Sequence, residues 1–145
     1  MELDSLYQEV ILDHYKRPLN KSLAPNPNIQ VHHINTSCGD EVTLNLHISG
    51  DVVSQVTWEG VGCSISQAST SVMSDLLAGR TYTEALALVD EFQTMLQSKG
   101  TDSGNEEHLQ DGVAFAGVSK FPARVKCALL GWMAFKDALQ QAIKK

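Results

Sequence analysis

The sequence contains no apolar run long enough to span a bilayer, so no membrane-crossing helix is expected. Its start, Met1-Glu2-Leu3-Asp4, lacks the basic residues and apolar stretch of a secretion signal, and a cytoplasmic location is the expectation. No run of Lys and Arg is long enough to follow a phosphate backbone, and 17 acidic residues outweigh 11 basic ones. Nucleic acid and membrane are therefore not expected as partners. There is no Cys-x-x-Cys pair and no internal repeat. The three cysteines are an odd number, which argues against a disulfide framework. In a reducing compartment they stay free thiols.

What remains is an ordinary globular composition, 43% hydrophobic and 19% charged, at a length suited to one domain spanning 1–145. Leu3, Leu6, Tyr7, Val10, Ile11 and His14 form one stripe of a helix running from Asp4, a candidate N-cap, to about Lys16. Pro18 ends it. Leu19 to Asn28 reads as loop. Ile29, Val31 and His33 alternate weakly. Val42 to Ile48 alternates strongly, Gly50-Asp51 is a turn, and Val52, Ser54, Val56 and Trp58 share a face of the return strand. Helices follow: Ser66 to Ala78 with Gly79 just past its end, and a second opened by the capping box Thr81/Glu84. A polar break covers Gly100 to Gly104, and Glu106 to Phe115 fits either a short helix or a loop. A last helix begins near Pro122 and buries Val125, Ala128, Leu129, Trp132, Phe135, Leu139 and Ile143. The fold class is α+β, a small antiparallel sheet of about three strands packed against helices.

Cys38 precedes the strong strand and Cys63 follows its return. The two ends of a hairpin strand pair lie together, so these thiols can be neighbours. Asp40 is two residues from Cys38, and Gly39 lets the chain bend between them. Cys127 completes a set of four if the last helix starts against that end of the hairpin. Three thiolates and a carboxylate suit Zn²⁺ and suit calcium or magnesium poorly. Cys127, beside Ala128 and Leu129, suits plain core packing equally well, and Asp40 suits a turn.

Four ordered blocks carry a resemblance over nearly the whole chain. They are Leu6-Tyr7 through Asp13-His14-Tyr15-Lys16-Arg17-Pro18; Cys38-Gly39-Asp40; Gly60 through Ser69; and Phe121-Pro122-Ala123-Arg124-Val125-Lys126-Cys127-Ala128. In these the sequence resembles the SufU family of zinc-dependent sulfurtransferases, within the IscU-like (NifU N-terminal-like) fold of iron–sulfur cluster assembly. The resemblance implies that Cys38, Asp40, Cys63 and Cys127 bind one Zn²⁺ per chain. It implies that Cys38 is catalytic, accepting a persulfide sulfur from a SufS-like, pyridoxal-phosphate-dependent cysteine desulfurase and passing it to a downstream scaffold or other acceptor. The alternative is a scaffold that assembles a [2Fe–2S] cluster on the same residues. Such scaffolds typically carry His before the third cysteine. Here Lys126 stands there, protonated at neutral pH and a poor cluster ligand. The stretch from about Gln97 to Gly117 fits the insertion of SufU-like chains.

Arg124, three residues before Cys127, falls on nearly the same helical face. It could supply positive charge to the thiolates, contact the partner, or be plain surface. Lys126 could steady the anionic site or point outward. His14, His32, His33, His47 and His108 do not outrank Asp40 as ligands.

Overall fold

The structure is a computed structural model, and it describes residues 5–144. Asp4 and Leu3, expected at the start of the first helix, lie outside those residues. Helix α1 (Ser5–Lys16) ends where Pro18 forces it to. Its stripe is narrower than expected. Ile11 and His14 are buried, but Leu6 is 62% exposed. His14 Nδ1 meets Ser71 Oγ and its Nε2 meets Asp111 Oδ2, each at 2.8 Å, tying α1 to two later segments.

Three strands follow in antiparallel order: β1 (Ile29–Asn35), β2 (Asp40–Ser49) and β3 (Val52–Val61). Val31, Val42, Leu44, Leu46, Val56 and Trp58 fill the buried face. The far end of the hairpin departs from simple alternation. His47 pairs with Gln55 while Ile48 pairs with Val53, so Ser54 is an extra residue in a bulge. The bulge reverses the parity. Val53, not Val52 or Ser54, is the fully buried residue there. The loop between α1 and β1 lies against the hairpin. Ala24 N–H donates to Thr57 Oγ1 and its carbonyl accepts from Asn45 Nδ2, while Trp58 Nε1 donates to the Leu19 carbonyl. These bonds satisfy polar groups of a half-buried sheet.

Helix α2 runs Ser64–Leu77, starting two residues before the expected Ser66, because Cys63 caps it. Gly79 then adopts φ +86°, which reverses the chain at low steric cost. The capping box at Thr81 and Glu84 is formed and opens α3 (Tyr82–Leu96). The uncertain stretch is a four-residue helix, α4 (Glu106–Leu109), followed by a 3-10 segment, Gln110–Lys120. Helix α5 (Pro122–Ile143) crosses the buried sheet face and packs on α2 and α3. Trp132 stacks on Phe92 at 3.9 Å between ring centres and donates its Nε1 to Ser69 Oγ. Ile143, expected in the stripe, is 48% exposed at the end of α5.

Helices α2 and α5 approach closely. A Cβ on Gly131 would strike the Thr70 side chain. This contact holds the N-terminal ends of both helices beside the open end of the hairpin, where all three cysteines lie.

Candidate metal centre

Each site residue is placed by a local rule. The chain turns between Asn35 and Cys38, whose N–H donates to the Asn35 carbonyl at 3.3 Å. Gly39 sits at φ +68°, a conformation that other residues resist. Asp40 then opens β2 on its inward face, while its neighbour Glu41 points out and is exposed. Cys63 is the N-cap of α2, and its sulfur accepts the Ser66 N–H at 3.5 Å. The positive end of the helix dipole favours negative charge on that sulfur. Cys127 lies in the second turn of α5 and is fully buried.

The ligand atoms of Cys38, Asp40 and Cys127 all lie within 4.8 Å of one another. Cys127 Sγ is 2.7 Å from Cys38 Sγ, and both cysteines are free. Cys63 stands against Asp40, with its Sγ 3.9 Å from Oδ2 and its N–H donating to Oδ1 at 2.8 Å. It does not belong to the mutually close trio. Gly62 has no side chain, and a Cβ there would run into the Asp40 carboxylate.

Asp40 is 0% exposed, and no cationic side chain pairs with it among the described residues. A buried carboxylate against two thiols is costly unless a cation compensates it. The thiols alone do not help. Burial raises the Cys127 pKa well above that of a free thiol, and its contacts with Cys38 and Asp40 raise it further. A thiophilic divalent ion reverses both problems, drawing the protons off the sulfurs and neutralising the carboxylate. The donor set therefore fits a metal, and its softness matches zinc better than magnesium or calcium.

Two neighbours border this cluster. The Arg124 guanidinium faces the sulfurs. Its pKa is raised, first by its hydrogen bond to Cys127 and then by the charge of Cys63, so it stays cationic. It also borders an open groove of about 420 Å³ lined with Ile11, Leu12, Cys63 and Ile65. Asn35, not singled out in the sequence, donates its Nδ2 to Cys127 Sγ at 3.9 Å. Its signal is its position directly opposite Asp40 in the strand register, which only the pairing of β1 with β2 reveals. Lys126 is exposed and lines a separate groove with Ile34, Gln97 and Met133. The histidines take other partners: His33 pairs with Asp137 at 2.9 Å, His108 with Glu91 at 2.8 Å, and His47 with the Pro25 carbonyl.

A three-stranded sheet that gathers thiols and one acid at its open end, under helices, defines an iron–sulfur assembly class of fold. Residues 6–128 match the NifU-like N terminal domain family, and the chain belongs to it. Among curated relatives it is 45% identical over 137 residues to the zinc-dependent sulfurtransferase SufU of Bacillus subtilis, covering 94% of this chain and 91% of that one. It is 37% identical over 142 residues to the iron-sulfur cluster assembly scaffold protein IscU of Streptococcus pyogenes, covering 97% and 87%. Among solved structures it resembles an iron-sulfur cluster assembly scaffold protein for the SUF system from Fervidobacterium islandicum. That match has a TM-score of 0.83 and 37% identity, over 90% of this chain and 94% of the other. No helix among the described residues is long and apolar enough to cross a membrane.

Proposed function

We propose that this chain is a zinc-dependent sulfurtransferase of iron–sulfur cluster assembly, in which Cys38 accepts a persulfide sulfur from a cysteine desulfurase and passes it on. The observation that carries the reading is the meeting of Cys38, Asp40 and Cys127 within 4.8 Å, with Cys63 bound to the same carboxylate. Cys38, Asp40, Cys63 and Cys127 would hold the ion, which supplies thiolate stabilisation. Likeness to the Bacillus sulfurtransferase supports zinc and sulfur transfer together. A pyridoxal-phosphate desulfurase is the donor, and a downstream scaffold or apo-protein is the acceptor.

The residues divide the work. Cys38 is half-buried and lies in a turn, so its sulfur can meet a partner's persulfide. Its thiolate attacks the outer sulfur of that persulfide, and the partner's thiolate leaves. Arg124, cationic and exposed at the rim, steadies the charge that shifts between sulfurs. Asn35 orients Cys127 through its amide. Lys126 lies outward, where it can meet the partner.

A scaffold holding a [2Fe–2S] cluster is the second reading. It is favoured by the names of the Streptococcus and Fervidobacterium relatives. The two separate in one experiment. Incubation with a desulfurase and L-cysteine, followed by mass mapping, is expected to add one sulfur to Cys38 in the zinc-loaded protein. Cys38→Ser is expected to abolish it. A stoichiometric coloured cluster after anaerobic reconstitution, with no sulfur on Cys38, would decide for the scaffold.

A further inference from the structure

Sulfur delivered as a persulfide is more oxidised than the sulfide of an iron–sulfur cluster. We infer that Cys127 is the thiol that releases it, displacing hydrogen sulfide from a persulfidated Cys38 and closing a Cys38–Cys127 disulfide. This rests on the reading of Cys38 as the persulfide acceptor. The inner sulfur of that persulfide is Cys38 Sγ itself, and Cys127 Sγ already stands 2.7 Å from it.

Displacement at sulfur runs in line, with the entering thiol opposite the departing one. Cys127 is 0% exposed and Cys38 is half-buried. Attack therefore comes from the protein interior, and the outer sulfur departs toward the surface. The Ala123 carbonyl lies 3.7 Å from Cys127 Sγ and 3.8 Å from Cys38 Sγ, holding the two in one place. Cys63 is less well disposed, because Asp40 and the Ser66 amide occupy its sulfur.

The atoms balance. The bond between Cys38 Sγ and the outer sulfur breaks, and one between Cys38 Sγ and Cys127 Sγ forms. The Cys127 proton passes to the departing sulfur, which already carries the persulfide hydrogen, and hydrogen sulfide leaves. The Cys127 sulfur is oxidised by one electron and the outer sulfur is reduced by one, so no outside oxidant enters. A dithiol reductant then restores both thiols.

The test uses the full-length protein loaded in two arms, one with desulfurase and L-cysteine and one with inorganic polysulfide, each then freed of small thiols. Sulfide release is followed by colorimetry, and thiols are alkylated and mapped. Both arms are expected to release close to one sulfide per loaded chain and to yield a linked Cys38–Cys127 peptide. Three results overturn the inference: a persulfide that persists on Cys38 beside an alkylated Cys127; sulfide release with a Cys38–Cys63 link; and polysulfide-treated protein with neither sulfur nor link. A link in the polysulfide arm alone supports the resolving role and overturns the desulfurase reading. Cys127→Ser is expected to keep its persulfide and lose sulfide release. Should that variant fail to fold, the mapping of the unmodified chain decides.

Discussion

Asp40 carries the main electrostatic burden of the site. It is the one fully buried carboxylate among the described residues, and its Oδ2 faces thiols, not cations. Asp40→Asn keeps the size and removes the charge. Its zinc affinity is expected to fall by about 10-fold or more, measured by competition with a chromophoric chelator. Unchanged affinity would reduce Asp40 to a turn residue. The cysteines and Asp40 were legible in the sequence because their chemistry resides in residue type, and the hairpin explained how Cys38 and Cys63 could meet. Asn35 was not legible. An asparagine before a turn is ordinary, and its reach to Cys127 depends on how α5 settles over β1. His14 read as one more stripe position, and its partners Ser71 and Asp111 lie 57 and 97 residues away in sequence.

At the scale of elements, α2 and α5 deliver two of the cysteines, so their spacing governs the site. Gly131→Ala pushes a methyl group into Thr70. The unfolding free energy is expected to drop by about 1–3 kcal/mol in a denaturant titration, with weaker zinc retention because Cys63 and Cys127 move apart. A change within about 0.5 kcal/mol would show that the helices adjust freely. A milder loss, about 1 kcal/mol, is expected for Thr81→Ala, which removes the cap of α3 far from the thiols. Zinc affinity should not change in that variant, and a chelator titration checks this. The elements themselves were readable from periodicity, caps and prolines. The bulge at Ser54 was not, because one extra residue shifts the parity without any turn residue to announce it. The early start of α2 was missed because cysteine is an uncommon cap, and the 3-10 segment because its side chains follow no helical stripe.

Across the whole molecule, a bound ion would join the end of the sheet to α2 and α5, elements far apart in sequence. Such a link stabilises the folded chain by mass action. Stripping the metal is expected to lower the unfolding temperature by at least about 5 °C, read by circular dichroism with and without chelator. No shift would mean that the thiols hold no tightly bound ion.

Position 62 adds an evolutionary corollary. It is exposed, contributes no core packing, and by ordinary reasoning should drift freely. Yet any side chain there claims the volume that the Asp40 carboxylate occupies. One acquired methyl group would leave a chain that still folds and is soluble but is chemically mute. In a diverging lineage, the loss of glycine at this exposed bend would mark the retirement of the centre before any cysteine had changed.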